Sequence, residues 1–356
     1  MKLERPAPLA SRPLVTVVIP CYNYGHFLPD AVGSALSQEG VEVEVIVVDD
    51  ASPDGSLAVA TRLASGDPRI SVVHHDVNKG HIATYNDGLS RANGRYVTLL
   101  SADDLIAPGA LARAAALMEA HPGVGMVYGL PKDFTDQPPP LPKHQRSTWT
   151  VWSGSSWIRL ACVRGRNFIL SPEVVMRTAA VLETGGYRSD LPHSGDLEYW
   201  LRTAGSWDVG RINGPVQAFY RVHGSNMHQV DFAAAAVDLA HRLEAFRVLE
   251  DPRFPGKSPE RVRQLRRAKH ALSREAAQLG YTETAGGSLD SAVELRHFIE
   301  SLHDVPGAVR RANSLQSRIN RASNGRKQRA AITASRYVRG QLDRIRWRLW
   351  AMTGIS

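Results

Sequence analysis

The chain has 356 residues, 43% of them hydrophobic, with 43 Lys+Arg against 35 Asp+Glu. That is ample for a buried core and allows roughly two domains of about 150 residues, so disorder as the main state is excluded. The net charge of +8 is local: from residue 301 onward 12 basic residues face two acidic ones, which leaves 31 basic and 33 acidic residues in the first 300. A basic tail on a nearly neutral body does not argue for nucleic-acid binding, and no nucleic-acid partner is expected. No apolar run approaches the ~18 residues that cross a bilayer, and the opening MKLERPAPLASRP lacks the apolar stretch of a signal peptide. The expected location is cytoplasmic. Cys21 and Cys162 form no CxxC pair, which fits a reducing compartment and excludes a cysteine-built zinc site.

In chain order, LVTVVIP (14–20) and VEVIVV (43–48) are β-branched runs of the kind buried on both faces of a sheet. Between them Phe27, Ala31, Ser34, Ala35 and Leu36 recur at helical spacing. The alternation continues with a helix over 54–65, a strand at 70–74, a helix at 81–92, a strand at 95–100, a helix at 108–120 and a strand at 124–128. Five such alternations predict a mostly parallel, doubly wound α/β sheet. Residues 131–147 are proline-rich and polar and read as a long loop. Short mixed elements follow over 148–222, with a helix over 195–204. From 232 the pattern is helical, and Ser258-Pro259-Glu260 reads as an N-cap followed by proline at the first helical position.

In open parallel sheets, ligands bind beyond the carboxyl ends of the strands. Here those ends carry Pro20, Cys21, Tyr22 and Asn23; then Asp49, Asp50, Ala51 and Ser52; then Ser101, Ala102, Asp103 and Asp104. A single Asp after a strand usually caps the next helix, and Asp54 is read that way. Two Asp-Asp pairs are different, because neighbouring carboxylates raise one another's pKa unless a cation or a donor-rich ligand compensates. Hard oxygen ligands suit Mg²⁺ or Mn²⁺ bridging to a diphosphate. Tyr22 is either a base-stacking ring or core or rim packing. The first strand is followed by CYNYGH, with one glycine, so the Gly-x-Gly-x-x-Gly cradle of a dinucleotide site is absent, as is a Walker A loop.

The ordered set TVVIPCYNYGHFLPDAVGSALSQ, VIVVDDASPDGS and NKGHIATYNDGLSRANGRYVTLLSADD resembles glycosyltransferase family 2, inverting enzymes with the GT-A fold, over roughly residues 14–225. The resemblance implies a GT-A domain over 1–230, with a nucleotide-binding half at about 14–130 and an acceptor half at about 148–230. A helical region (231–305) and a basic amphipathic tail (306–356) follow. It implies a nucleotide-diphosphate-sugar donor (UDP or dTDP), a divalent metal (Mg²⁺ or Mn²⁺) and a glycan, lipid-linked or other hydroxyl acceptor. The product would carry one added sugar, in cell-surface glycan, glycolipid or polysaccharide assembly.

Carried over residue by residue, Pro20 and Tyr22 line the base pocket, Asp50 accepts from the base, and Asn78, Lys79 and Gly80 lie by the nucleotide. Asp103 faces ribose or metal and Asp104 ligates the metal. Ser101 stands where the common family form has Asp, which removes the first carboxylate of the acidic motif. That departure motivates an alternative, a catalytically weak sugar-nucleotide or glycan-binding protein that retains the fold.

HSGDLEYWLR (193–202) resembles the family's acid-containing helix start, where Asp196 aligns with the general base that an inverting displacement needs; its bland reading is a helix cap. His193 and Glu198 are acceptor candidates. In YRVHGSNMH (220–228), Arg221 would contact the diphosphate and His223 the metal; the bland readings are a surface ion pair and a structural histidine. Trp149, Trp152 and Trp157 are candidates for stacking on sugar faces, or core residues, with Trp152 assigned to the acceptor. In the tail, Val338, Leu342, Ile345 and Leu349 form an apolar stripe among arginines. That helix would either lie on an anionic membrane, making the protein peripheral, or pack on the body.

Overall fold

The computed structural model describes residues 2–142, 146–224 and 235–323. In chain order the elements are β1 (Lys2–Glu4), β2 (Leu14–Cys21), α1 (Leu28–Leu36), β3 (Glu42–Asp49), α2 (Ser56–Gly66), β4 (Ile70–His74), α3 (His81–Ser90), β5 (Tyr96–Leu99), β6 (Leu105–Ile106), α4 (Ala110–Ala120) and β7 (Val124–Phe134). Then come β8 (Thr148–Trp152), α5 (Gly154–Arg164), β9 (Val175–Arg177), α6 (Thr178–Thr184), α7 (Gly195–Ser206), β10 (Asp208–Arg221), α8 (Ala235–Phe246), α9 (Ser258–Gly286), α10 (Leu289–Ser301) and α11 (Ala308–Ser323). The strands form one sheet in the order β1-β8-β10-β7-β9-β5-β2-β3-β4, with β6 beside β10. β5, β2, β3 and β4 run parallel, as do β7 and β10, while β9 joins the two groups antiparallel.

The continuous Val/Ile runs have the expected cause. Val15, Val17 and Ile19 of β2 enter one core, whereas Val18 enters the other; in β3, Val43, Val45 and Val47 separate from Ile46 and Val48 in the same way. Successive side chains point to opposite faces, so a strand covered by helices on both sides needs an apolar residue at every position. Asp54 serves the start of α2, its Oδ1 accepting from the Ser56 backbone N–H at 3.0 Å.

Three local expectations are corrected. β7 runs on to Phe134, four residues into the stretch read as loop, because β10 pairs alongside it to Arg221↔Phe134. Ladder pairing outweighs the local preference of Pro131 and its polar neighbours. The residue capping α9 is Lys257; Ser258 lies inside the first turn and makes no side-chain cap. Trp149, Trp152 and Trp157 are all buried, at 2, 4 and 1% exposure. Trp152 stacks on Tyr128 with centroids 6.2 Å apart, which places it in the core and away from any acceptor.

The helices after the sheet share its core. Leu243 and Phe246 of α8, Leu272 of α9, Leu295 of α10 and Leu315 of α11 belong to the same apolar cluster as Trp157 of α5 and Trp200 of α7. In α11 the stripe Ala308, Ala312, Leu315 and Ile319 is turned inward. The stripe at 338–349 lies outside the described residues, as do 225–228 of the YRVHGSNMH stretch. No helix among the described residues is long and apolar enough to cross a membrane.

Candidate active site

A cavity of about 2210 Å³ opens over the carboxyl ends of the parallel strands, larger than the roughly 300–1,000 Å³ that encloses one small ligand. Pro20, Tyr22, Asp50, Asn78, Gly80, Asp103, Asp104, His193, Asp196 and His223 all line it. Tyr22 stands at the rim with 46% exposure.

The turn after β3 is held by its own acids. Asp49 Oδ2 accepts from Ser52 N at 3.3 Å, and Ala51 adopts φ 56°, a left-handed conformation that costs a non-glycine residue free energy. Asp50 gathers the segment after β4: its Oδ1 accepts from Lys79 N at 2.8 Å, its Oδ2 from Gly80 N at 2.9 Å, and its carbonyl from Asn78 Nδ2 at 3.2 Å. Gly80 reaches this position with φ 83°, which glycine tolerates without a Cβ penalty. Burial opposes ionisation of Asp50, but His75, the two amides and Thr84 outweigh it and hold the carboxyl below its usual range. Lys79 therefore contributes a backbone N–H; its side chain is exposed and does not line the cavity.

The pair after β5 is almost fully buried. Asp104 Oδ1 accepts from the Arg221 backbone N–H at 2.9 Å, and Asp103 Oδ2 lies 2.9 Å from His223 Nε2. Burial, then the charge of Asp103, pushes the Asp104 carboxyl well above the usual range. Two neighbouring carboxylates that repel one another favour a cation, though among the described residues no group of three or more His, Cys, Asp or Glu is arranged to hold one.

Arg221 is corrected from its expected place at the diphosphate. Its guanidinium is sandwiched between Phe27 and Phe134, 4.6 and 4.4 Å from the ring centroids. Its Nε donates to the Asp103 carbonyl at 2.8 Å and its Nη1 to the Thr135 carbonyl at 3.2 Å. It is 6% exposed and does not line the cavity; its bonds hold the acidic turn against the end of β7.

Asp196 opens α7 after Ser194, which takes φ 61°. Its Oδ2 accepts from the Ser171 hydroxyl, and Tyr187 also bonds the carboxyl. Burial raises its pKa despite those two bonds and the nearby His81. A carboxyl so poised is suited to take up a proton. Tyr85 lies within electrostatic reach of both acid groups: burial and then the charges of Asp196, Asp103 and Asp104 push its phenol upward.

His193 lines the cavity with Nε2 3.0 Å from Asp238 Oδ1. Glu198 does not line it; 1% exposed, it forms a two-pronged pair with Arg202 at 3.0 and 2.9 Å. Its place is structural, since two positions along a helix turn a side chain to another face. Sequence reasoning missed His75, buried between Asp50 at 2.7 Å and Asp87 at 3.0 Å, and also Ser171, Asp238 and Arg242. His75 directly follows a strand that carried a signal, and Asp238 and Arg242 stand at the i,i+4 spacing of a helical ion pair, whereas Ser171 had no signal because Asp196 lies 25 residues away.

Residues 16–174 match the glycosyl transferase family 2 model. An uncharacterized protein of Mycobacterium tuberculosis, MT1568, is 32% identical over 206 residues, covering 54% of this chain and 62% of that protein. The succinoglycan biosynthesis protein ExoO of Rhizobium meliloti is 39% identical over 108 residues, 30% of each chain. The chain thus spans less than two thirds of either relative. Among solved structures, S. aureus TarS 1-349 in complex with UDP-GlcNAc superposes with a TM-score of 0.62 at 17% identity, covering 88% of this chain and 93% of that one, a likeness of fold. With a mostly parallel sheet between helices and acids at the strand ends, the chain has the GT-A fold, and its residues 16–174 are a match to glycosyltransferase family 2.

Proposed function

We propose that the chain transfers a single sugar, with inversion, from a UDP- or dTDP-sugar to an acceptor hydroxyl in the assembly of a cell-surface polysaccharide. The observation that carries this reading is one cavity holding two acid centres of different character: the Asp103–Asp104 pair and, at the start of α7, Asp196 with its raised pKa. Pro20, Tyr22 and the segment pinned by Asp50 form the nucleotide side. Asp196 accepts the proton of the acceptor hydroxyl as its oxygen attacks the anomeric carbon, and the nucleoside diphosphate leaves from the opposite face. Asp103 and Asp104, adjacent hard-oxygen donors lining the cavity, are the residues that would hold Mg²⁺ or Mn²⁺. Such an ion would neutralise charge on the departing diphosphate. The ExoO relationship supports the polysaccharide setting, and the nucleotide sugar named for TarS supports the donor class.

The basic residues from 301 onward support work at the cytoplasmic face of a membrane, where lipid-linked acceptors are presented. Flotation with phosphatidylglycerol liposomes of the full chain against one ending near 324, which keeps α11 in the core, tests this; equal flotation removes it. For the chemistry, nucleoside diphosphate release is measured over a panel of donors with Mg²⁺, Mn²⁺ or EDTA. Binding of UDP without turnover of any donor would replace this reading with that of a sugar-nucleotide-binding protein.

A further inference from the structure

Asp196 is gripped by hydroxyls from two segments outside its own helix. The Ser171 hydroxyl donates to its Oδ2, and the Tyr187 phenol bonds the same carboxyl from the loop ahead of α7. All three residues line the cavity. Two further titratable groups face the carboxyl from α3. One is His81, whose Nε2 lies 3.1 Å from the Pro192 carbonyl oxygen. The other is Tyr85, whose ring meets that of Tyr187 edge to face with centroids 5.6 Å apart.

Neither hydroxyl is left to find its own place. Ser171 opens a 3-10 turn over Ser171–Glu173 with Pro172 in its first positions. Leu170 N donates to Glu173 Oε1 at 3.1 Å, and Thr98 Oγ1 of β5 donates to the Val174 carbonyl at 2.7 Å, which ties the turn to the sheet. Tyr187 is fixed through its backbone. Asn86 Nδ2 of α3 donates to the Tyr187 carbonyl at 2.9 Å, and Tyr187 N donates to Asn86 Oδ1 at 2.7 Å. Gly186 lets this amide pair close, because a Cβ there would lie 2.6 Å from Asn86 Oδ1. The Tyr187 ring also stacks on Tyr199 of α7, with centroids 4.2 Å apart.

We propose that Ser171 and Tyr187 are positioning residues of the general base, aiming the Asp196 carboxylate at the acceptor hydroxyl. The inference rests on the reading of Asp196 as that base. The last torsion of an aspartate is soft, and donors held from fixed directions remove its freedom, so that the oxygen taking the proton faces one way. The same donors favour the ionised carboxylate and so oppose burial, which raises its pKa. Each hydroxyl removed therefore leaves Asp196 protonated, and idle as a base, up to a higher pH. Loops that merely packed on α7 would lower stability on substitution without this change.

The test follows Asp196 directly. In the full chain, with aspartate labelled by ¹³C at the side-chain carboxyl, the resonance missing from Asp196→Asn is titrated with pH. Ser171→Ala and Tyr187→Phe are each expected to raise its midpoint by about one pH unit, while Ser171→Thr, which keeps a hydroxyl, stays near the parent. Nucleoside diphosphate release over a panel of donors is expected to show kcat down about tenfold in Ser171→Ala, with donor KM and UDP affinity unchanged and the acid limb moved with the midpoint. A midpoint unmoved in both Ser171→Ala and Tyr187→Phe overturns the proposal even if either variant melts lower, and so does a moved midpoint with unchanged kcat. Full activity of Asp196→Asn, or no turnover of any donor by the parent while the midpoints still move, overturns the transferase reading and leaves the hydroxyl clamp standing.

Discussion

The two sides of the cavity hold their charged groups by different means. On the side proposed for the nucleotide, Asp49 and Asp50 are tied to backbone N–H groups of nearby turns, and Asp104 to the backbone of β10. On the other side, Asp196 is held by side chains, Ser171 and Tyr187, and the turn after α5 by Arg242 of α8. Backbone amides cannot change with a neighbouring substitution, so the first arrangement is robust and compatible with many sequences. The second depends on particular side chains brought from far along the chain, which makes it the side where specificity can vary.

The largest expected effect separates the two sides by chemistry. Asp196→Asn should lower sugar transfer about a thousandfold, within the range for loss of a general base, while leaving UDP affinity within about twofold. A parallel loss of UDP binding would show that the sides are not independent. Next, Asp50→Ala leaves two backbone N–H groups and His75 without their acceptor. That should cost about 2–4 kcal/mol in urea unfolding and weaken UDP binding. Because the folded pKa of Asp50 is lowered, its stabilisation is present above the ordinary carboxylate range and is lost as pH falls through the folded value. Unchanged stability would mean that the 76–80 segment does not rely on it.

Arg221→Lys keeps the charge but loses the fork between Phe27 and Phe134. A stability loss of about 1–3 kcal/mol with little change in UDP affinity is expected, and the reverse outcome would return Arg221 to the diphosphate. A smaller effect, about 1–2 kcal/mol, is expected for Gly165→Ala, from the left-handed backbone (φ 65°) and a Cβ that would lie 2.8 Å from that of Ala271; the loop it opens runs on to Ser171, so it should disturb acceptor use and spare the donor. Least in size is the pH response of Asp196. Its raised pKa moves the acid limb of kcat/KM above the usual carboxylate value near 3.8. The folded protein holds that proton more tightly than the unfolded chain, so stability declines as pH rises through the folded value. Asp196→Asn should therefore melt at a higher temperature than the parent at pH 7, with the gain vanishing below about pH 3.8.

What the sequence by itself determined is the part whose causes are local. The runs 14–20 and 43–48 had to be strands covered on both faces, and the acids that follow strands had to sit at the sheet's carboxyl edge, because period and connectivity place them there. Asp196 was legible as an acid opening a helix. Tertiary structure alone decided the rest. Arg221 and Glu198 are charged residues in motif positions, yet one is clamped between two rings and the other paired with Arg202, since a buried charge goes wherever donors and acceptors satisfy it. Trp152 carried the composition of a sugar platform and was taken up by the core. The clamp on Asp196 joins Asn86, Ser171 and Tyr187 across 101 positions, and no local period records which distant side chains will converge once the helices dock.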